Sequence, residues 1–231
     1  MQYYMEVVHS KLLESFLCNK LNSDDANIIK ESGISNNQIG NLLVDLISNT
    51  SASELFEIIR LSENKRVITT NNIPQFSNYN EIDNVISIII DSGIIGMSYK
   101  TLGYYLAGRN KSEAARAKYG ENHYKLVMQL GFATENKKHL INSFGIAYKN
   151  LSSNVNKANI CAKLALRIPI IQELLIQTDK GIVNATKVLQ LYLSNATAIR
   201  RRSNIKTLLN KLAEYSDKEF ITRINSIIWE W

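Results

Sequence analysis

Residues 111–145, KSEAARAKYGENHYKLVMQLGFATENKKHLINSFG, hold the fold in outline. Helical periodicity runs from Lys111 to Leu130. Gly131 stands where a left-handed residue ends a helix. Phe132-Ala133-Thr134 and His139-Leu140-Ile141 are two short strand candidates around the polar turn Glu135-Asn136-Lys137-Lys138. Asn142-Ser143 then opens a helix through Tyr148. Upstream, one helix spans Ile82 to Asp91 and stops at Ser92-Gly93. A second starts at Ser98 and runs to about Ala107, and Gly108-Arg109-Asn110 forms the turn into the long helix.

Outward from this centre the chain divides into residues 1–80, 81–151 and 152–231. In the first part, apolar spacing predicts a helix from Tyr3 to Leu21, with a stop and cap at Asn22-Ser23-Asp24. Asp25 to Glu31 and Asn36 to Ser48 have helix-turn-helix spacing around Ser32-Gly33-Ile34. Their outer face, Asn37, Asn41, Asp45 and Ser48, lacks a cation, so this module reads as a packing or partner-binding unit. Ser53 to Leu61 is a further helix, Val67 to Thr70 a short strand, and Asn71 to Asn80, with Pro74 and four asparagines, a linker. In the last part a helix from Val155 to about Thr178 is interrupted near Pro169. Asn184 caps a helix to Leu193, and Asn195 caps one to about Tyr215. Glu219 to Trp231 has helical spacing but a β-branched composition.

The composition is that of a globular chain, 45% apolar and 21% charged over 231 residues. Two cysteines, Cys18 and Cys161, exclude a disulfide framework and a cysteine-rich zinc site. The longest apolar run, Val85 to Ile95, is broken by Asp91, and the first residues lack a secretory pattern, so the expectation is a cytoplasmic protein with no membrane partner. The net charge of +6 is unevenly spread. Residues 1–80 hold 6 basic and 9 acidic side chains, residues 81–151 hold 9 and 6, and residues 152–231 hold 12 and 6. A basic C-terminal two-thirds points to a polyanionic partner.

Two helical stripes sharpen that expectation. At 100° per residue, Lys111, Lys118, Asn122, Lys125 and Gln129 fall within about 60° of one another. Lysine suits phosphate or guanine, and Asn or Gln suits adenine. On the later helix, Thr197, Arg200, Asn204, Thr207 and Lys211 lie within about 80°, flanked by Arg202 and Lys206. Arg201 falls inside the apolar arc, so it must snorkel. The run Arg200-Arg201-Arg202 near a helix start is disfavoured by the helix dipole unless an anion offsets it. A plain solvated lysine face is the alternative for both stripes.

The order helix, turn, helix, long helix, strand, basic turn, strand is the plan of a winged helix. Residues 81–151 resemble the winged-helix modules attached to bacterial restriction enzymes and related DNA-handling proteins. The resemblance is carried by Tyr124-Lys125-Leu126-Val127-Met128-Gln129-Leu130-Gly131-Phe132, the hairpin, and Ser143-Phe144-Gly145. It covers about 70 residues and extends weakly to about residue 215 as a second helix-turn-helix. It implies a mainly α protein with small β-hairpin wings, built as tandem winged-helix or helix-turn-helix modules. Lys111–Leu130 would be the recognition helix and Glu135–Lys138 the wing tip. The implied function is sequence-reading of double-stranded DNA, as a recognition subunit or regulator in a restriction-modification or related defence system. Phosphates would meet Lys137, Lys138, Arg202 and Lys206. Base edges would meet Lys118, Asn122 and Lys125 on one module, and Arg200, Asn204 and Lys211 on the other.

Catalytic chemistry is poorly represented. The Glu-x-Lys triplet at Glu63-Asn64-Lys65 lies in a stretch without the strands that a nuclease metal site needs, and Glu135-Asn136-Lys137 lies at the expected wing tip. His9, His123 and His139 have no ligand partners at helical or hairpin spacing, so no catalytic residue, metal or cofactor is assigned. The other class of function is a protein–protein adaptor. It would use the acidic N-terminal module or the apolar tail Ile227-Ile228-Trp229-Glu230-Trp231 to hold a catalytic or regulatory subunit.

Overall fold

Short polar side chains set most of the helix starts. In a computed structural model that describes residues 2–19, 33–63, 67–107, 111–134 and 139–230, α1 spans Gln2–Cys18, α2 Asn36–Asn49 and α3 Ala52–Leu61. Ser35 with Gln38 and Ser51 with Glu54 form capping boxes at α2 and α3. The expected Asp25–Glu31 helix lies outside the described residues. Helices α4 (Ile82–Asp91), α5 (Tyr99–Ala107) and α6 (Glu113–Gln129) follow. The cap of α6 is Ser112, so Lys111 precedes the helix rather than opening it.

After α6, Ala133 and Ile141 form a single antiparallel bridge. The Thr134 amide donates to Leu140 O (3.2 Å) and the Asn142 amide to Phe132 O (3.0 Å). The two expected strands are thus one bridge, and their turn, residues 135–138, lies outside the described residues. Asn142 caps α7 (Ser143–Lys149), its side chain accepting the Gly145 amide at 2.9 Å.

The expected helix from Val155 to Thr178 is α8 (Asn154–Lys163), a 3₁₀ turn over Leu164–Arg167, and α9 (Pro169–Gln177). Pro169 sits at a helix start, where its missing amide is harmless. Helix α10 (Ala185–Gln190) leads through a short turn to α11 (Asn195–Glu214), whose cap position is Ser194 rather than Asn195. The ambiguous last segment is both things in turn: helix α12 (Lys218–Asn225), then strand β2 (Ile227–Ile228), paired in parallel with β1 (Val183–Asn184).

Residues 67–81 depart most from expectation. There is no strand at Val67–Thr70. Thr70–Asn72 is a 3₁₀ turn, closed because the Asn72 side chain accepts the Thr69 amide and donates to Val67 O, both at 2.8 Å. Nor is Asn71 to Asn80 a linker. Ile73, Pro74 and Phe76 are buried, and the segment lies as a strap against the C-terminal third. Arg201 donates to Thr70 O (2.5 Å) and Ile73 O (2.8 Å), Asn204 to Phe76 O (2.5 Å), and the Tyr79 hydroxyl to Cys161 Sγ (3.3 Å). One apolar cluster runs from Leu12 to Ile227 through all three ranges.

Two close approaches hold the centre. Gly40 of α2 faces the Ser143 carbonyl, and a Cβ there would collide with it. Gly103 of α5 likewise abuts the Arg116 carbonyl, and Gly120 of α6 abuts the Tyr99 carbonyl. Moving back along α5 from Gly103 to Tyr99 moves the contact forward along α6 from Arg116 to Gly120 and Tyr124. That is the register of antiparallel neighbours, so α5 and α6 form a helical hairpin joined along its length.

Buried and half-buried cations cap helix C-termini. Lys163 donates to Ile47 O (3.1 Å) and Ser48 O (3.0 Å) in the last turn of α2. Arg167, 4% exposed, donates to Phe16 O of α1 and to Gln129 O of α6 (3.4 Å), with its guanidinium 3.9 Å above the Phe16 ring. Arg223 donates to Leu175 O of α9 (3.2 Å) and pairs with Asp179 at 2.5 Å.

Replacing Gly120 by Ala tests the hairpin. In an open helix the change stabilises by about 1 kcal/mol. Here the Cβ meets backbone, so the expected result is a loss of about 1–3 kcal/mol, read from the midpoint and slope of urea unfolding.

Candidate nucleic-acid interface

Helix α6 is divided along its length. Glu113, Ala114, Ala115 and Lys118 are exposed, whereas His123, Tyr124, Leu126 and Val127 are buried. The predicted stripe therefore does not stand free. Lys118 and Lys125 both pair with Glu121, at 2.9 Å and 2.6 Å. The stripe thus has a carboxylate along its edge, and the two lysines hold Glu121 below the ordinary carboxylate range. Asn122 is half-buried. Gln129 is half-buried with its side-chain oxygen enclosed, and its carbonyl is taken by Arg167. Base reading by Gln129 is thereby corrected: it sits where α6 enters the core. Lys111 lies over the Tyr119 ring at 4.5 Å. Lys137 and Lys138 fall outside the described residues.

The stripe on α11 is displaced by one residue. Asn204 is buried and spent on the strap carbonyl of Phe76, which corrects its assignment as a base reader. Arg202 is half-buried and donates to Trp229 O (3.1 Å). Lys211 pairs with Glu214 at 2.9 Å, and Thr197 is half-buried beneath Arg200, whose Nη2 lies 3.1 Å from its hydroxyl. Arg201, predicted to snorkel, turns inward to the strap instead, and burial lowers its pKa. The face that does meet solvent is Asn195, Ala196, Ile199, Arg200, Ser203, Lys206 and Asn210. Its carboxylate, Glu214 in the last turn, is held by Lys211. Reading residues 71–80 as a linker hid this rotation, because the strap covers the side of α11 that the sequence pattern leaves polar.

The remaining titratable groups serve structure. The Cys161 thiol is buried and pushed up to about 12, and Cys18 is a buried free thiol. His139 stacks on Tyr99 with centroids 4.2 Å apart and bonds Met97 O. His9 borders an open trough between α1, α2 and α3 that also shows Ser10, Leu13, Glu54 and Glu57. Neither carboxylate there is idle. Glu54 accepts the Ser51 amide and hydroxyl, which lower its pKa, and Glu57 is bidentate to Arg60. Among the described residues no group of three or more His, Cys, Asp or Glu could hold a metal ion. No helix among them is long and apolar enough to cross a membrane.

Comparison with protein-family models, with curated proteins and with solved structures finds no match.

Two measurements check these placements. His123 is 1% exposed, with Nδ1 2.9 Å from Tyr119 O and with the Asn78 main chain and Glu81 also close enough to act on the ring. Burial lowers its pKa. Below its ordinary value of 6.5 the unfolded chain takes a proton that the folded chain refuses, so stability falls as pH drops through that value. Urea midpoints at pH 7.5 and 5.5 should diverge more for the natural chain than for His123→Gln. Separately, Asn204→Ala should cost about 1–3 kcal/mol of stability, because it strands the Phe76 carbonyl. A surface residue would give a value near zero in the same denaturation experiment.

Proposed function

We propose that this chain binds double-stranded DNA, with the solvent face of α11 as its principal contact. The observation that carries the reading is the exposure of Arg200 and Lys206 on that face, whose carboxylate, Glu214 in the last turn, is held by Lys211. Asn195, Arg200, Ser203, Lys206 and Asn210 share that face, and among the described residues neither Arg200 nor Lys206 meets a carboxylate. Arg200 instead lies along its own first turn, with its guanidinium exposed. A short helix, a tight turn and a longer helix with exposed N-terminal residues is the arrangement by which helix-turn-helix proteins enter a major groove. Lys206 suits phosphate, and Arg200, Asn195 and Asn210 suit phosphate or base edges.

The unit from α4 to α7 supports the reading in the same sense. Three helices, a bridged hairpin and a further helix follow the winged-helix order, with the N-terminal half of the third helix exposed. Restriction-modification or a related defence system is the setting that its resemblance implies, with this chain as recognition subunit or regulator. An adaptor role has less behind it. The strongly exposed apolar side chains Leu61, Val67, Ile95, Val155, Ile182 and Leu191 sit on different elements, and isolated exposed apolar residues are ordinary.

Fluorescence anisotropy against a randomised duplex pool at several salt concentrations tests the proposal. The natural chain should bind with steep salt dependence. Arg200→Ala/Lys206→Ala should flatten the log–log salt slope by about two units. Lys118→Ala should change it less, since Glu121 already neutralises that lysine. No binding at about 50 mM salt overturns the reading, because non-specific contacts are strongest there.

A further inference from the structure

The solvent face of α11 carries one large apolar side chain. Asn195, Ser203, Lys206 and Asn210 fall within about 80° of one another, and Ile199 stands at the centre of that arc. Asn195 and Ser203, one helical turn to either side, lie in the same row. Ile199 is 42% exposed and stands outside the apolar cluster that joins the three parts of the chain. Core packing therefore does not account for it. Helix propensity does not either, since a β-branched side chain is a poorer helix former than the straight-chain residues. Its place along the helix is also informative. Ile199 begins the second turn of α11, which starts at Asn195, and the N-terminal part of the second helix is what a helix-turn-helix protein brings to base edges. The next residue, Arg200, folds back onto Ala196 O (3.3 Å) and the Thr197 hydroxyl (3.1 Å).

The major-groove edges of the bases form a row of hydrogen-bond donors and acceptors with one apolar group, the C5 methyl of thymine. 5-Methylcytosine carries the same group on the same ring atom. Isoleucine has no hydrogen bond to offer. Against a guanine, adenine or plain cytosine edge it strips water from polar atoms and replaces nothing, which is costly. Against a methyl group it takes apolar surface of both partners out of water, which is favourable. We propose that Ile199 is a specificity-determining residue that reads the methyl group of a 5-methylpyrimidine in the major groove of a bound duplex. This rests on the DNA-binding reading above and narrows its target to duplexes that place such a pyrimidine under the N-terminal half of α11.

The test uses the full chain and two randomised duplex pools. One contains thymine and plain cytosine, so that thymine alone carries the methyl group. The other contains uracil and 5-methylcytosine, so that cytosine alone carries it. The duplexes that the natural chain retains from each pool are remade with uracil for thymine, or with plain cytosine for 5-methylcytosine. In at least one pool the remade duplexes should bind about four-fold more weakly, the worth of one buried methyl group. The pool that shows the loss names the base. Ile199→Ala should bind methylated and unmethylated duplexes alike, and Ile199→Val should keep most of the discrimination. Thermal melting checks that both variants are folded. Equal affinity of the natural chain for methylated and unmethylated duplexes from both pools overturns the proposal, as does undiminished discrimination in Ile199→Ala. In either case, a flattened salt slope in Arg200→Ala/Lys206→Ala leaves the DNA-binding reading standing. Failure of the natural chain to bind any duplex overturns both.

Discussion

Arg167 is the contact on which the rest of the structure leans. It brings a full positive charge into the interior and directs it at the carbonyls that end α1 and α6. Those carbonyls lie in the last turns and carry the negative pole of each helix, with Phe16 O also accepting a long bond from the Asn19 amide (3.4 Å), so the charge and the helix ends satisfy one another. The guanidinium also lies on Phe16, which packs against Phe144 with centroids 4.7 Å apart. One side chain thereby joins the N-terminal helix, the long central helix and the 3₁₀ turn before α9. Lys163, one helical turn earlier, does the same for the end of α2, and burial lowers its pKa.

This use of cations changes what the net charge of +6 means. Lys163, Arg167, Arg201, Arg202 and Arg223 all belong to the basic C-terminal third, and all donate to main-chain carbonyls. Lys157 and Lys211 pair with Asp83 and Glu214. The charge left at the surface is correspondingly smaller than the composition implies. Arg200 and Lys206 bring part of it to one exposed face of α11, and Lys180, Lys187 and Lys218 are exposed elsewhere in the same third. A charge count weighs every lysine and arginine equally, whereas the fold spends roughly the buried ones on itself.

The strap of residues 67–81 is the second organising element. It runs from the turn before α11, where the Thr70 hydroxyl donates to Tyr192 O at 3.2 Å, to Tyr79 on Cys161. Its irregular backbone offers carbonyls that no helix or strand has taken, and Arg201 and Asn204 take them. Their side of α11 is thus closed to any ligand, and the opposite side is left for solvent.

Much of the local structure follows from the residues alone. Helix starts at Ser35, Ser51, Ser112 and Asn142 follow from side chains that satisfy first-turn amides, a local effect within three residues. The order of helices and hairpin from Ile82 to Lys149 follows from apolar spacing and from Gly131, which takes the positive φ of a helix end. Burial of both cysteines follows from their apolar helix faces. The candidate interface was legible in its helix and in Arg200 and Lys206, but not in its rotation. Whether Asn204 or Ser203 faces solvent depends on what packs against α11, and that partner lies 128 residues away in sequence. Likewise Glu121 sits beside two lysines by helical spacing, but only packing shows that the C-terminal half of α6 is closed in. Spacing within one helix establishes which residues share a face. The direction in which that face looks belongs to contacts distant in the chain, and the tertiary structure alone supplied it.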